Sequence, residues 1–251
     1  MGFPLILSVT AFWQLVWLSV GRSATMIFVS ELISRFTALP DYGIGALVVL
    51  LLYGLQSEIR FGSSARKMRP GKSDRKSTLL VSASSAVPVL GFVLAMKANS
   101  PAISTQLPQW FRHASIPGLP VVGWMGVALG ICGLALRLWA VLTLRDRYTR
   151  TLLVQDEHSV ERSGPYHWVR HPGYLGSLLC LNGVALASGN AVVLLASLLA
   201  TWGAYSYRIM VEDAMLIAAF GNSYGEYRRH VRALVPSRRS SRLAARSGVD
   251  G

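Results

Sequence analysis

Long stretches of this chain carry no charge at all, and that limits its fold more than any other feature. Residues 42–57 and 77–96 contain no Asp, Glu, Lys or Arg. The charges are squeezed into segments between such runs. Lys and Arg outnumber Asp and Glu 25 to 12, a formal charge of +13 on 251 residues of which 52% are hydrophobic. A soluble domain spreads its charges over its surface. The segregation seen here excludes a disordered chain, a secreted disulfide scaffold and an ordinary nucleic-acid-binding domain. It leaves an all-α, polytopic membrane protein.

A bilayer core of roughly 30 Å needs about 20 apolar residues as helix. Candidate spans are residues 4–20, 42–57, 77–98, 119–144, 174–187 and 191–209, about six transmembrane helices. The last two are divided by Ser188-Gly189-Asn190, a turn signal, and read as a C-terminal helical hairpin whose first arm is short for a full crossing. Residues 23–34 contain Glu31 and suit the interface. Each apolar run is continuous rather than alternating, which argues against strands.

Basic residues orient the chain. Segment 57–76 holds Arg60, Arg66, Lys67, Arg69, Lys72, Arg75 and Lys76, and segment 145–172 holds Arg145, Arg147, Arg150, Arg162 and Arg170. The tail after Gly221 holds seven more arginines, from Arg228 to Arg246. The connections at 21–41 and 97–118 carry two each. Positive-inside logic puts the first three in the cytoplasm, and six spans with a returning hairpin satisfy that parity. The expected organisation is N-terminal helices over 1–118, a core over 119–236 and a disordered basic tail over 237–251 that leans on anionic headgroups or merely solubilises. No basic residue precedes the first run, so it reads as a retained helix rather than a cleaved signal peptide. Position 6 is Ile6, so a myristoylation pattern is absent. Cys132 and Cys180 lie inside apolar runs and suit packing among small residues. No His, Cys and Asp cluster has metal-ligand spacing.

Two polar constellations stand out in the C-terminal third. In the first, Gly164-Pro165 marks a turn, and Arg170-His171-Pro172 leads into the hairpin. Pro172 suits the first position of a helix, so His171 falls at its entry, where free backbone N–H groups favour an anionic group. The second is Tyr205, Arg208, Glu212 and Asp213 at the end of the last span. Arg208 and Glu212 stand four apart and share a helix face. They form either an interfacial salt bridge of small worth or a site in which Glu212 faces a cationic ligand and Arg208 an anionic one. Arg137, deep in an apolar span, is a functional candidate: it lines the site, pairs with an acid such as Glu212, or snorkels to the cytoplasmic edge.

Taken in order, these residues resemble the isoprenylcysteine carboxyl methyltransferase family. The resemblance rests on His158, Gly164-Pro165-Tyr166, Arg170-His171-Pro172-x-Tyr174-x-Gly176, Arg208-x-x-x-Glu212-Asp213-x-x-Leu216, Phe220-Gly221-x-x-Tyr224-x-x-Tyr227 and Pro236. Upstream, Leu136-Arg137-Leu138-Trp139-Ala140 and Leu144 also resemble the bacterial branch of that family. The match covers about residues 130–236.

The resemblance implies a membrane-embedded methyltransferase using S-adenosylmethionine and releasing S-adenosylhomocysteine. Carried over position by position, cofactor contacts fall on His158, Ser159, Val160, Glu161, Tyr166, His171, Pro172, Gly173, Tyr174 and Glu212. Arg208 matches the arginine placed at the acceptor, with Tyr205 and Arg137 as further candidates for substrate contact. Three positions depart from the pattern. Glu161 stands where an apolar residue is usual, Arg145 follows Leu144 where a glycine is usual, and the acidic pair is Glu212-Asp213 rather than Glu-Glu.

The chemistry suits these residues. A carboxylate acceptor is already a nucleophile at neutral pH, so the protein need only hold the reactants in line and strip water from them. Arg208 would orient that carboxylate, while Tyr166, Trp168, Tyr174 and Tyr205 are placed to wall off an adenosine or an apolar acceptor. Trp168 also fits an aromatic belt. The expected reaction is methyl transfer to a lipophilic carboxylate, on an integral membrane protein whose cofactor site and C-terminus are cytoplasmic. Its partners would be a lipophilic or lipid-modified acceptor and membrane lipids, with no nucleic acid and no metal. Two other readings stay open: the same cofactor with a thiol or phospholipid amine acceptor, and a non-catalytic scaffold or transporter.

Overall fold

A computed structural model describes residues 41–61, 76–98, 107–144 and 160–236. The expected first span at 4–20, the interfacial segment at 23–34, His158, Ser159 and the tail at 237–251 lie outside the described residues. The described residues form α1 (Asp41–Phe61), α2 (Ser77–Ala98), α3 (Gln109–Arg112), α4 (Val121–Leu144), a 3-10 turn (Gly164–His167), α5 (Pro172–Ala187), α6 (Ala191–Phe220) and α7 (Asn222–His230). Among them there is no strand, only an isolated bridge between Ser115 and Asn190.

Among the described residues, three helices are long and apolar enough to cross a membrane: residues 77–96 of α2, α4 and α6. Helices α1 and α5 are shorter in their apolar part. The 16 residues of α5 reach about 24 Å at 1.5 Å per residue, short of a bilayer core of roughly 30 Å. Large apolar side chains point outward along the bundle. Leu51 is 70% exposed and Leu199 68%, as expected of surface that meets hydrocarbon rather than water. Cys180 is fully buried, whereas Cys132 sits on the exposed side of α4, so only the former takes the packing role expected of both.

The closest packing is between α4 and α5, and small residues explain it. In lipid, helices gain little from hydrophobic contact, so close backbone approach does the holding. A Cβ on Gly183 of α5 would lie 2.6 Å from Gly126 O and Gly130 N of α4, and one on Gly176 would lie 2.6 Å from Gly133 O. No side chain fits there. Helix α6 packs on α2 and is tied to α5 by a buried polar triad. Asn182 Nδ2 donates to Thr201 Oγ1 at 3.1 Å, and Ser197 Oγ donates to Asn182 Oδ1 at 2.8 Å.

The hairpin turn forms where the sequence signals it. Gly189 adopts φ +65°, a left-handed conformation glycine adopts without penalty. Asn190 then caps α6, its Oδ1 accepting from Val192 N and Val193 N. The connection before α4 latches onto this turn through Ile116 N to Gly189 O and Ala191 N to Ala114 O, both 2.7 Å. At the other end, α6 runs on past Ile209 to Phe220. From Ala191, Glu212 lies about 32 Å along the axis at 1.5 Å per residue, at the edge of a bilayer core. That end carries the polar residues.

Candidate active site

Four segments converge at that end: the loop before α5, the end of α6, α7 with its following chain, and the start of α2. Pro172 opens α5, and His171 is its N-cap, with φ −122° and ψ 61° outside the helical range. The chain after α7 lies alongside, so that Arg170 N donates to Arg232 O at 2.9 Å and His171 N to Ala233 O at 3.0 Å.

Asp213 sits at the centre, 4% exposed. Arg170 Nη2 donates to its Oδ2 at 2.9 Å, Arg228 Nε lies 3.6 Å from the same oxygen, and Tyr224 Oη donates to Oδ1. His171 Nε2 lies 3.0 Å from Oδ1. A carboxylate set among guanidinium groups is ionised and can only accept, so His171 Nε2 carries a proton and donates. Arg170 also reaches Arg228 O at 3.0 Å and Val231 O at 2.8 Å through Nη1, fastening α7 to the loop. Burial pushes the Tyr224 phenol up, and its bond to the Asp213 carboxylate pushes the same way.

With Nε2 committed, His171 turns Nδ1 toward Glu212, whose Oε2 is 3.7 Å away. That oxygen is buried yet makes no hydrogen bond within the protein. A buried acceptor without a donor is costly, and a ligand donor would satisfy it. Tyr174 stacks on His171 with ring centroids 5.4 Å apart at 6°. Its hydroxyl accepts from Arg208 Nε at 3.1 Å. The His171–Tyr174 stack therefore stands between the arginine and the glutamate.

Arg208 is 5% exposed. Its Nη1 donates to Ser77 Oγ and Thr78 Oγ1, each at 2.7 Å. Tyr205 packs edge-on against Tyr174, centroids 5.5 Å apart, and its hydroxyl lies 3.5 Å from that of Tyr53. Arg137 donates to Ser177 Oγ at 2.5 Å and lies over the Tyr53 ring at 4.8 Å. These contacts set Arg137 beside Tyr53 and Ser177.

The structure thus brings together His171, Tyr174, Tyr205, Arg208 and Glu212, with Pro172 and Gly173 in the same turn. Other expected contacts stand apart from this polar cluster. Val160 packs against Tyr224, Tyr227 and Val231. The Glu161 carboxylate accepts from Arg162 N and Ser163 N at 3.1 and 3.0 Å, so its side chain is engaged in its own turn. Tyr166 offers its carbonyl to Tyr227 Oη. Trp168 is exposed and edge-on to Trp139 at 5.7 Å. Arg170, Asp213, Ser77 and Thr78 were not singled out from the sequence as site residues. The first two lie in its ordered motifs; Ser77 and Thr78 carry no signal beyond heading an apolar run.

Comparison with known proteins bears out the resemblance. Residues 126–218 match the isoprenylcysteine carboxyl methyltransferase family. Protein-S-isoprenylcysteine O-methyltransferase of Tribolium castaneum is 29% identical over 140 residues, 54% of this chain and 50% of that protein. The Xenopus laevis protein of the same name is 32% identical over 140 residues, 54% and 49% respectively. A probable protein-S-isoprenylcysteine O-methyltransferase of Oryza sativa subsp. japonica is 32% identical over 117 residues, 46% and 61%. The chain spans about half the length of the first two relatives. The solved eukaryotic intramembrane Ras methyltransferase, an isoprenylcysteine carboxyl methyltransferase, superposes with TM-score 0.58 at 20% identity, over 79% of this chain and 69% of that one. That likeness is one of fold. The segment matching the family holds Arg137, His171, Tyr174, Arg208 and Glu212, while Tyr53, Ser77, Thr78 and Tyr224 lie outside it.

Proposed function

We propose that this chain is an integral membrane methyltransferase that moves a methyl group from S-adenosylmethionine to the carboxylate of a lipophilic acceptor of the isoprenylcysteine type. The observation that carries the reading is that the Tyr174 hydroxyl holds Arg208 while the His171 ring stacked on Tyr174 turns Nδ1 toward Glu212, so that an anion-binding group stands beside an acidic one.

The residues present fit the cofactor. Glu212 Oε2 is a buried acceptor without a donor, suited to a ligand's amine or hydroxyl. His171 Nδ1 faces the same space, and Pro172, Gly173 and Tyr174 form the adjoining turn. His158, Ser159, Val160, Glu161 and Tyr166 are proposed contacts from the preceding loop, Glu161 through its backbone. When bound, S-adenosylmethionine supplies an electrophilic methyl group on a sulfonium.

Glu212 would also supply negative charge to help balance that cation. Arg208 binds and turns the acceptor carboxylate, and no side chain need remove a proton from it. Tyr205, Tyr53 and Arg137 line the membrane side, where an apolar acceptor arrives and water is thinned out; orientation and desolvation of this kind are worth several powers of ten in rate. The basic segments put this end of the bundle in the cytoplasm, with six spans, the core over 119–236 and the tail on the same side. The test is calorimetric titration of the detergent-purified protein with S-adenosylmethionine. Micromolar-range binding weakened at least tenfold by Glu212→Ala and by His171→Ala is expected; no binding, or binding those changes leave alone, overturns the reading.

A further inference from the structure

We propose that α7 and the chain just after it form a docking site for the headgroups of anionic phospholipids, held by Arg228, Arg229 and Arg232. Such a site is independent of the methyl transfer proposed above and needs only that the bundle sits in a bilayer. The backbone brings these arginines to headgroup level. Helix α6 ends at Phe220, about 12 Å beyond Glu212 at 1.5 Å per residue. Gly221, at φ +54° and ψ −127°, then turns the chain. Helix α7 follows with Tyr224 and Tyr227 buried among Val160, Leu216 and Phe220. After α7 the chain returns to the bundle: Arg232 O accepts from Arg170 N at 2.9 Å, and Leu234 packs with Leu178, Leu181 and Tyr205. The three arginines thus lie on the stretch that re-enters the apolar zone.

All three are exposed, and among the described residues 160–236 Glu226 is the one exposed acid. A basic last turn complements the C-terminal end of a helix dipole, but Arg232 lies beyond the helix and outside that effect. Apolar groups flank the arginines. Val235 is 53% exposed, and Trp168, two positions before Arg170, is 48% exposed and meets Trp139 edge-on at 5.7 Å. Tryptophan at the end of a membrane bundle sits among headgroups. A partner that matches both features carries an anionic head on an apolar tail. Guanidinium groups grip phosphate through paired hydrogen bonds, and each basic residue near an anionic bilayer surface adds to the attraction. Nucleic acid or an acidic peptide would leave the apolar flank in water. Arg228 Nε also lies 3.6 Å from Asp213 Oδ2, so a headgroup seated here steadies α7 against the loop that opens α5.

The full chain, purified in neutral detergent, is titrated with dioleoyl phosphatidylglycerol and separately with dioleoyl phosphatidylcholine, and bound lipid is counted by native mass spectrometry. Hydrogen–deuterium exchange is followed in nanodiscs of the same two lipids. The first phosphatidylglycerol molecules are expected to bind at least tenfold more tightly than phosphatidylcholine, in line with several arginines at one headgroup. Arg229→Gln/Arg232→Gln is expected to bring the two lipids within about twofold of each other. An equal charge removed from the tail, Arg242→Gln/Arg246→Gln, should leave the preference in place. In the wild type, phosphatidylglycerol should slow exchange over residues 222–234 several-fold. Equal affinity for the two lipids overturns the proposal, as does a preference that survives Arg229→Gln/Arg232→Gln or is lost as fully in the tail variant. Exchange over 222–234 that ignores the lipid, or that slows as much with inorganic phosphate, also overturns it. Neither readout needs turnover, so the absence of methyl transfer leaves the test intact.

Discussion

His171 and Asp213 meet through Nε2 and Oδ1 at 3.0 Å, and the same carboxylate binds Arg170 at 2.9 Å and Tyr224. One buried acid therefore fixes the histidine's tautomer and fastens α7 to the entry of α5. Glu212, its neighbour in sequence, is left with the unsatisfied oxygen. The adjacent acids divide the work: Asp213 builds the site and Glu212 faces it.

Asp213→Asn puts an amide N–H against Arg170 or His171 and removes the charge between guanidinium groups. Breaking a buried, hydrogen-bonded ion pair costs about 3 kcal/mol, so a clear drop in melting temperature is expected together with weaker S-adenosylmethionine binding. Glu212→Gln should weaken binding with little change in melting. Differential scanning fluorimetry and calorimetry on both variants separate the two acids; equal losses of stability would contradict the division.

Gly183→Ala forces a methyl group to within 2.6 Å of the α4 backbone, and backbone cannot give way as a side chain can. A loss of about 3 kcal/mol is expected, read as loss of folded protein on size-exclusion chromatography. Gly203→Ala, with nothing within 4 Å of the new methyl, gains about 0.5–1 kcal/mol in helix propensity. A tolerated Gly183→Ala would refute the close α4–α5 contact.

The Asn182, Ser197 and Thr201 triad ties the hairpin arms together. Hydrogen bonds between helices in lipid are worth about 1 kcal/mol. Asn182→Ala is expected to lower stability by about 1–2 kcal/mol while leaving cofactor affinity intact, as measured by unfolding in mixed micelles.

Alkaline titration probes α7. Burial pushes both the Tyr224 and Tyr227 phenols up, with the Asp213 bond adding to the effect at Tyr224. The folded state thus favours their neutral forms. Their contribution is complete below the unfolded tyrosine pKa of about 10 and is lost as pH rises above it toward the folded values. Absorbance at 295 nm should show Tyr224 and Tyr227 ionising late, and replacing both by Phe should shrink the late-ionising amplitude. A single transition for all nine tyrosines would contradict this packing.

Element boundaries were largely legible. Helix α2 was expected over residues 77–98 and forms over Ser77–Ala98, because charges bound its apolar run. The hairpin turn followed from Ser188-Gly189-Asn190. Helix α6 exceeds its expected end by eleven residues, reaching Phe220 rather than Ile209. Apolar content marks where a helix is lipid-immersed, while the backbone ladder continues through Arg208, Glu212 and Asp213. His171, Arg208 and Glu212 could be picked out by spacing and resemblance. The hub at Asp213 could not, since its partners come from residues 170, 171, 224 and 228 and only tertiary packing joins them. For the same reason Ser77 and Thr78, some 130 positions from Arg208, looked like ordinary polar residues at a helix start.

The most direct test of the account is the chemical form of the transferred methyl group. Purified protein is incubated with methyl-tritiated S-adenosylmethionine and a prenylated cysteine bearing either a free carboxylate or the matching carboxamide, and the products are treated with alkali. The account predicts label only with the carboxylate, released as volatile methanol by base, and reduced at least tenfold by Arg208→Ala, in line with loss of a charge-assisted contact to the acceptor. Base-stable label on a thiol or amine, or equal labelling of the carboxamide, would contradict it.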